Sequence, residues 1–169
     1  HYPLRRQRQM CIRDRVNTGS IRNLNIYDNI LLKCYGMFSF LNPAGIREYT
    51  KSLVDKYGMV YSDLSAPVRH LSGGNLQKLI LSRELREIPG LLVASYPTRG
   101  LDVGAIEYVR EALINCRNNG SAVLLISEDL DELLAISDRI AVMYEGRLTF
   151  MATKDVQRIG LAMAGSHES

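Results

Sequence analysis

The sequence predicts an α/β chain in which a helical first part, residues 16–88, leads into a parallel-sheet second part, residues 89–160. Three observations predict it. Apolar residues recur at helical spacing through the first part. In the second, two short apolar runs, Leu91–Ser95 and Ala122–Ile126, are each bounded by turn residues. Amphipathic helical segments follow both runs, and strand, helix, strand alternation implies parallel pairing with covered faces.

The elements follow in order. Residues 26–35 place Ile26, Ile30, Leu31 and Cys34 on one helical face behind Asn25 as a cap. Residues 36–45 contain Asn42-Pro43 and read as a loop; 46–57 form a second helix stopped by Gly58. After a polar stretch broken by Pro67, Ser72 opens a helix. Its stripe runs through Leu76, Leu79, Ile80, Leu81, Leu85 and Ile88 to Pro89-Gly90. A strand over 91–95, a helix over 105–116, a strand over 122–126 and a helix over 129–135 come next. Residues 139–144 and 147–151 then flank Glu145-Gly146 as an antiparallel hairpin. Residues 161–169 are expected to be a tail.

At 169 residues, 46% apolar and 23% charged, the composition is that of one ordinary globular domain and excludes collagen-like, disulfide-rich and highly charged disordered classes. No apolar run approaches the roughly 20 residues that span a bilayer. Three cysteines and three histidines are scattered without disulfide or metal-ligand spacing, so no metal site is expected. The net charge of +3 suggests an acidic partner, but residues 1–15 hold five arginines against Asp14, leaving the remainder nearly neutral at −1. That leader does not begin with Met and has no apolar core and no periodicity; it reads as a non-native segment outside the fold.

The chemistry concentrates at Leu71-Ser72-Gly73-Gly74-Asn75-Leu76-Gln77-Lys78. A serine cap followed by two residues without Cβ lets backbone N–H groups and the positive helix end approach an anion. The same residues also suit a plain capped helix.

Three segments in order, LSGGNLQK at 71–78, PTRGLDVGA at 97–105 and SDRIAVMYEGRL at 137–148, resemble the later part of an ATP-binding-cassette (ABC) nucleotide-binding domain over residues 17–165. With IGLAMAG at 159–165, the wording is most similar to the second cassette of fused sugar and nucleoside importer ATPases. The resemblance implies a P-loop NTPase of ABC type, its C-terminal two-thirds only, with the Walker A region missing. It implies that Ser72, Gly73 and Gly74 contact the γ-phosphate of ATP bound by a partner cassette, with Asn75 and Gln77 nearby. Asp102 would be the aspartate of the D-loop. It also implies Mg²⁺ held mainly by the partner site, a second cassette fused or dimeric, and transmembrane permease subunits docking near residues 24–45. The location it implies is cytoplasmic, peripheral on the inner face of the membrane.

The departures are informative. The two Walker B acids, one for the water shell of Mg²⁺ and one for the attacking water, correspond to Ser95 and Tyr96. Neither residue suits those tasks: serine is a poor Mg²⁺ partner, and tyrosine titrates too high to serve as a base. The family's switch histidine corresponds to Glu128, a carboxylate where a hydrogen-bond donor is needed. No GxxxxGK[ST] loop is present. The expectation is therefore a domain that lends its signature helix to a partner site while its own site is degenerate. A non-hydrolysing dimerisation partner is the alternative, and a soluble ABC protein acting on nucleic acid a third. The aromatic residues between 27 and 49 lack interleaved basic residues and read as packing, so no nucleic-acid contact is expected. Glu128, Asp129, Asp131 and Glu132 read as helix capping.

Overall fold

The structure, a computed structural model, describes residues 8–11, 19–34 and 43–165. These divide into two compact units, one ending at Ile126 and the other beginning at Ser127. The division falls elsewhere than the expected boundary at 88/89: the helix that Ser72 opens packs on the helix that follows the next strand, within one unit.

In the first unit, β1 (Arg8–Cys11) is followed by α1 (Ile26–Cys34) and α2 (Pro43–Lys56). Asn25 caps α1 as its sequence suggests, its Oδ1 accepting from Asp28 N at 2.8 Å. Helix α2 starts three residues before the expected point. Pro43 has no N–H to leave unpaired in a first turn, and its fixed φ favours helix there. Ile46, Thr50, Leu53 and Val54 give α2 its buried stripe. A short 3₁₀ turn, Val68–His70, precedes α3 (Gly73–Glu84). Helix α3 ends before Leu85 rather than at Ile88. Pro89 disfavours helical backbone at the residue before it, and Tyr57 Oη donates to the freed Leu85 carbonyl at 3.0 Å.

Strand β2 (Leu91–Ser95), α4 (Val103–Asn118) and β3 (Ala122–Ile126) form the expected parallel unit, with Leu91 through Ser95 registered against Ala122 through Ile126. Helix α4 buries Ala105, Val109, Leu113 and Cys116 along one stripe and packs on β3. Two features differ from the simplest form of that reading. Residues 8–11, within the segment expected to stand outside the fold, form a parallel strand on the other edge of β2, because strand pairing needs only backbone donors and acceptors. The sheet is also not covered on both faces by the described residues: Leu91, Leu124 and Ile126 share one face and are 40–53% exposed.

The second unit holds α5 (Leu130–Ile136), β4 (Ala141–Tyr144), β5 (Arg147–Phe150) and α6 (Val156–Met163). The β4–β5 hairpin turns at Glu145-Gly146 with φ of 44° and 77°, the positive pair of a type I′ turn. Ile140, Val142 and Ile159 form its core, with Leu130, Leu133, Leu134, Met151 and Ala162 packed against them. Helix α6 runs into residues expected to be tail; Ile159 anchors it from inside. No helix among the described residues is long and apolar enough to cross a membrane.

Candidate functional site

The start of α3 is built by side chains that hold each other. Ser72 has extended backbone, φ −62° and ψ 160°, and its Oγ accepts from Asn75 N at 3.3 Å and Asn75 Nδ2 at 3.1 Å. With two bonds accepted, the exposed Ser72 hydroxyl still has its own proton to donate. Asn75 Oδ1 accepts from Val60 N at 2.8 Å, so the loop after α2 is fastened to the first turn of α3. Lys78, one turn on, donates to Gly58 O at 2.9 Å and lies 4.9 Å from the centroid of the Tyr108 ring. The amides of Gly73 and Gly74 belong to the first turn and have no intrahelical acceptor.

A second helix start lies beside the first. Asp102 caps α4, its Oδ1 accepting from Ala105 N at 2.9 Å. A Cβ on Gly74 would come within 3.2 Å of Ala105 Cβ, and one on Gly73 within 3.9 Å of Leu101 Cδ2. Gly74 thus sits in tight quarters against α4, independently of any ligand. The result is an exposed corner where the Ser72 hydroxyl, two first-turn amides and the positive end of α3 meet the start of α4, whose own positive end is taken up by the Asp102 carboxylate. The α3 donors suit an anion such as a terminal phosphate, with the Asp102 carboxylate beside them.

Of the residues expected here, Ser72, Gly73 and Asp102 are exposed at this corner, and Gly74 and Asn75 are half-buried. Gln77 is not part of the outward face: it is 1% exposed, and neither its Nε2 nor its Oε1 has a partner among the described residues. Ile80, Leu81 and Glu84, three, four and seven positions on, are buried with it, so its helical spacing already assigned it to the inner stripe.

Ser95 ends β2 and is 4% exposed. Tyr96 follows with φ of +49°, donates its N–H to Ile126 O at 2.7 Å, and accepts from Arg99 N at 3.3 Å. A left-handed tyrosine costs about 1–3 kcal/mol and persists only where the surroundings hold it. Here the sheet on one side and Pro97 on the other do so. The pair offers no carboxylate, and among the described residues no three His, Cys, Asp or Glu side chains gather closely enough to hold a metal ion. Ser95 and Tyr96 therefore do not fit Mg²⁺. Glu128 is exposed and belongs to the second unit, where Asp129 caps α5 by accepting from Glu132 N at 3.1 Å, as the capping reading expected.

The sequence reading missed the Gly74–Ala105 approach, the Val60–Asn75 tie and the Lys78–Tyr108 contact. Small residues facing each other in GG and DVGA were the one signal for the first; the other two depend on how the loop returns.

No protein-family model matches the chain. It is 43% identical to the glucose import ATP-binding protein TsgD13 of Haloferax volcanii over 166 aligned residues, 92% of this chain and 30% of that protein. It is likewise 43% identical to the guanosine import ATP-binding protein NupO of Bacillus subtilis, over 90% of this chain and 32% of that one. The nucleoside import ATP-binding protein NupA of Lactococcus lactis is 38% identical, with 91% and 32% covered. The chain thus spans about a third of the length of these relatives. Among solved structures, the dimeric ATP-binding cassette MJ0796 bound to ADP and Pi superposes with a TM-score of 0.69 at 19% identity, covering 89% of this chain and 66% of that one.

Proposed function

From a chain that has the ABC-type P-loop NTPase fold and resembles sugar and nucleoside import ATP-binding proteins in sequence, we propose a part of an importer's nucleotide-binding domain that completes a partner's ATP site. In this reading it belongs to a second cassette. Ser72, Gly73 and Gly74 receive the γ-phosphate of ATP held by the partner, Asp102 lines the same interface, and Mg²⁺ belongs to the partner site. The observation that carries it is the corner of two helix starts with the exposed Ser72 hydroxyl, in a chain whose β2 end offers Ser95 and Tyr96 in place of acids. The dimeric state of the solved neighbour supports a paired arrangement. Permease subunits would dock near residues 24–45, of which 35–42 lie outside the described residues, placing the protein at the inner face of a membrane. No nucleic-acid role is assigned.

Ser95, Tyr96 and Glu128 favour a second form of this reading, in which the domain hydrolyses nothing itself and serves only as a signature partner. The test is hydrolysis by the full-length protein after the partner cassette's catalytic acid is removed. The degenerate-site reading expects Mg-ATP turnover to fall to background; an undiminished rate would contradict it.

A further inference from the structure

The starts of α3 and α4 meet in two layers. Gly74 and Lys78 lie four residues apart on one face of α3, and Ala105 and Tyr108 three apart on one face of α4. In the first layer a Cβ on Gly74 would come within 3.2 Å of Ala105 Cβ and 3.8 Å of Asp102 Oδ2. In the second, one turn along, Lys78 Nζ lies 4.9 Å from the centroid of the Tyr108 ring, inside the roughly 6 Å reach of a cation–π contact. The same ammonium donates to Gly58 O at 2.9 Å, in the left-handed turn that follows α2. One side chain therefore ties the end of α2, α3 and α4 together. Packing alone does not call for a lysine at this place, since leucine fills a helix contact and gives up less rotamer freedom when it is ordered. What the ammonium adds is a directed hold on a ring face and a carbonyl at once.

We propose that Lys78 is a positioning residue for the Ser72–Gly74 corner: through Tyr108 and Gly58 O it sets the gap between the starts of α3 and α4. That gap decides how close the Asp102 carboxylate stands to the α3 donors. A carboxylate drawn nearer weakens their pull on a phosphate, and one further away leaves the first turn of α3 without its neighbour. Lys78 touches no nucleotide in this account; it acts through α3. The proposal rests on the proposed role of the signature corner. Because the nucleotide is held by the partner cassette, a displaced corner costs the chemical step rather than binding, and kcat falls while KM stays.

The test measures kcat and KM for ATP, with the thermal midpoint beside them, in the full-length protein and its variants. Lys78→Met keeps the apolar stem and removes the charge. Its kcat is expected to fall about tenfold, within the roughly hundredfold that an ångström of misplacement can cost, with KM changed by less than about twofold. Lys78→Arg, whose guanidinium also sits on ring faces, should restore most of kcat. Tyr108→Phe keeps the ring face and should turn over like the unaltered protein, whereas Tyr108→Leu should be slow. Lys78→Met combined with Tyr108→Leu should be little slower than Lys78→Met alone, since both remove one contact. A lowered midpoint with unchanged kcat would make Lys78 a packing residue and overturn the proposal. So would Lys78→Arg as slow as Lys78→Met, or losses that multiply in the double variant. Should Tyr108→Leu fail to fold, the comparison of Lys78→Met with Lys78→Arg decides. Gly73→Asp separates the two levels: if it abolishes turnover and Lys78→Met does not lower it, the positioning role alone falls. If neither lowers it, the signature reading falls as well.

Discussion

Ser72 caps the first turn of α3 and keeps an exposed hydroxyl with a proton to donate, so its removal should be felt twice. Loss of an N-cap costs about 1 kcal/mol. For Ser72→Ala this corresponds to a fall of about 2–4 °C in the thermal midpoint, read by differential scanning calorimetry. Turnover at the partner site should fall more than stability does, because a donor to the phosphate goes with the cap. Gly74→Val tests the neighbouring contact. Its branched side chain meets Ala105, so it should push α3 from α4 and lower stability by about 1–3 kcal/mol in a urea titration, whereas Gly73→Ala, with more room, should not. Tyr108 gives a pH signature. Burial, with Tyr57 as the smaller cause, raises its pKa from 10.0 to about 12. A raised folded pKa means that the contribution is whole below the unfolded value near 10 and is lost as pH climbs from there toward 12. Tyr108→Phe should flatten the decline of the denaturation midpoint across that window. At this scale the sequence was legible where a residue's task is local, as with the Ser72, Asn25, Asp102 and Asp129 caps. Gln77 was misplaced because its task was set by the face α3 turns inward.

Helices α1 and α3 are joined by a buried polar network. Glu84, fully buried, pairs with Arg83 Nε at 2.8 Å and with Lys33. Arg83 also donates to Asn29 O at 3.2 Å and Gly19 O at 2.8 Å, which binds the approach to α1 onto α3. Asn29, itself buried, accepts from Ile21 N and donates to the carbonyls of Ile21, Leu24 and Asn25. Removing one partner of a buried pair costs about 3–5 kcal/mol because the other charge stays behind. Arg83→Ala should therefore lower the urea midpoint severely, and Lys33→Met, at the partly exposed end, by much less. Equal effects would show that the network acts as surface charge. The network was illegible in sequence: charged residues in a helix usually mark a solvated face, and only the return of residues 19–29 buries these. The helices and β2, β3 were legible because each carries its own period. Strand β1 was not, since RQMC shows no alternation and its place is fixed by backbone pairing with β2.

Taken whole, the described chain leaves one face of its parallel sheet open. Leu91, Leu124 and Ile126 lie together there, and β3 has no second neighbour among the described strands. Apolar strands of a parallel sheet are ordinarily buried on both faces, and a bare edge invites pairing with other chains. Expressed alone, residues 1–169 are expected to bind a hydrophobic dye and melt broadly, and Leu124→Lys to reduce sedimentable aggregate; a sharp cooperative transition would argue that the face is covered. The order of segments around the two helix starts could be read from sequence, since LSGG and the DVGA cap carry their own signals. Their approach to within contact distance could not, because it depends on how α3 and α4 pack.

The proposed function is an asymmetry: a signature corner at Ser72–Gly74 that serves a partner site, in a chain whose β2 ends without acids. Vanadate trapping of labelled nucleotide in the full-length protein, with the two ATP sites resolved by proteolytic mapping, tests it most directly. Nucleotide is expected to be trapped at the site that Ser72–Gly74 completes and not at the site that Ser95 and Tyr96 border; equal trapping at both would contradict it.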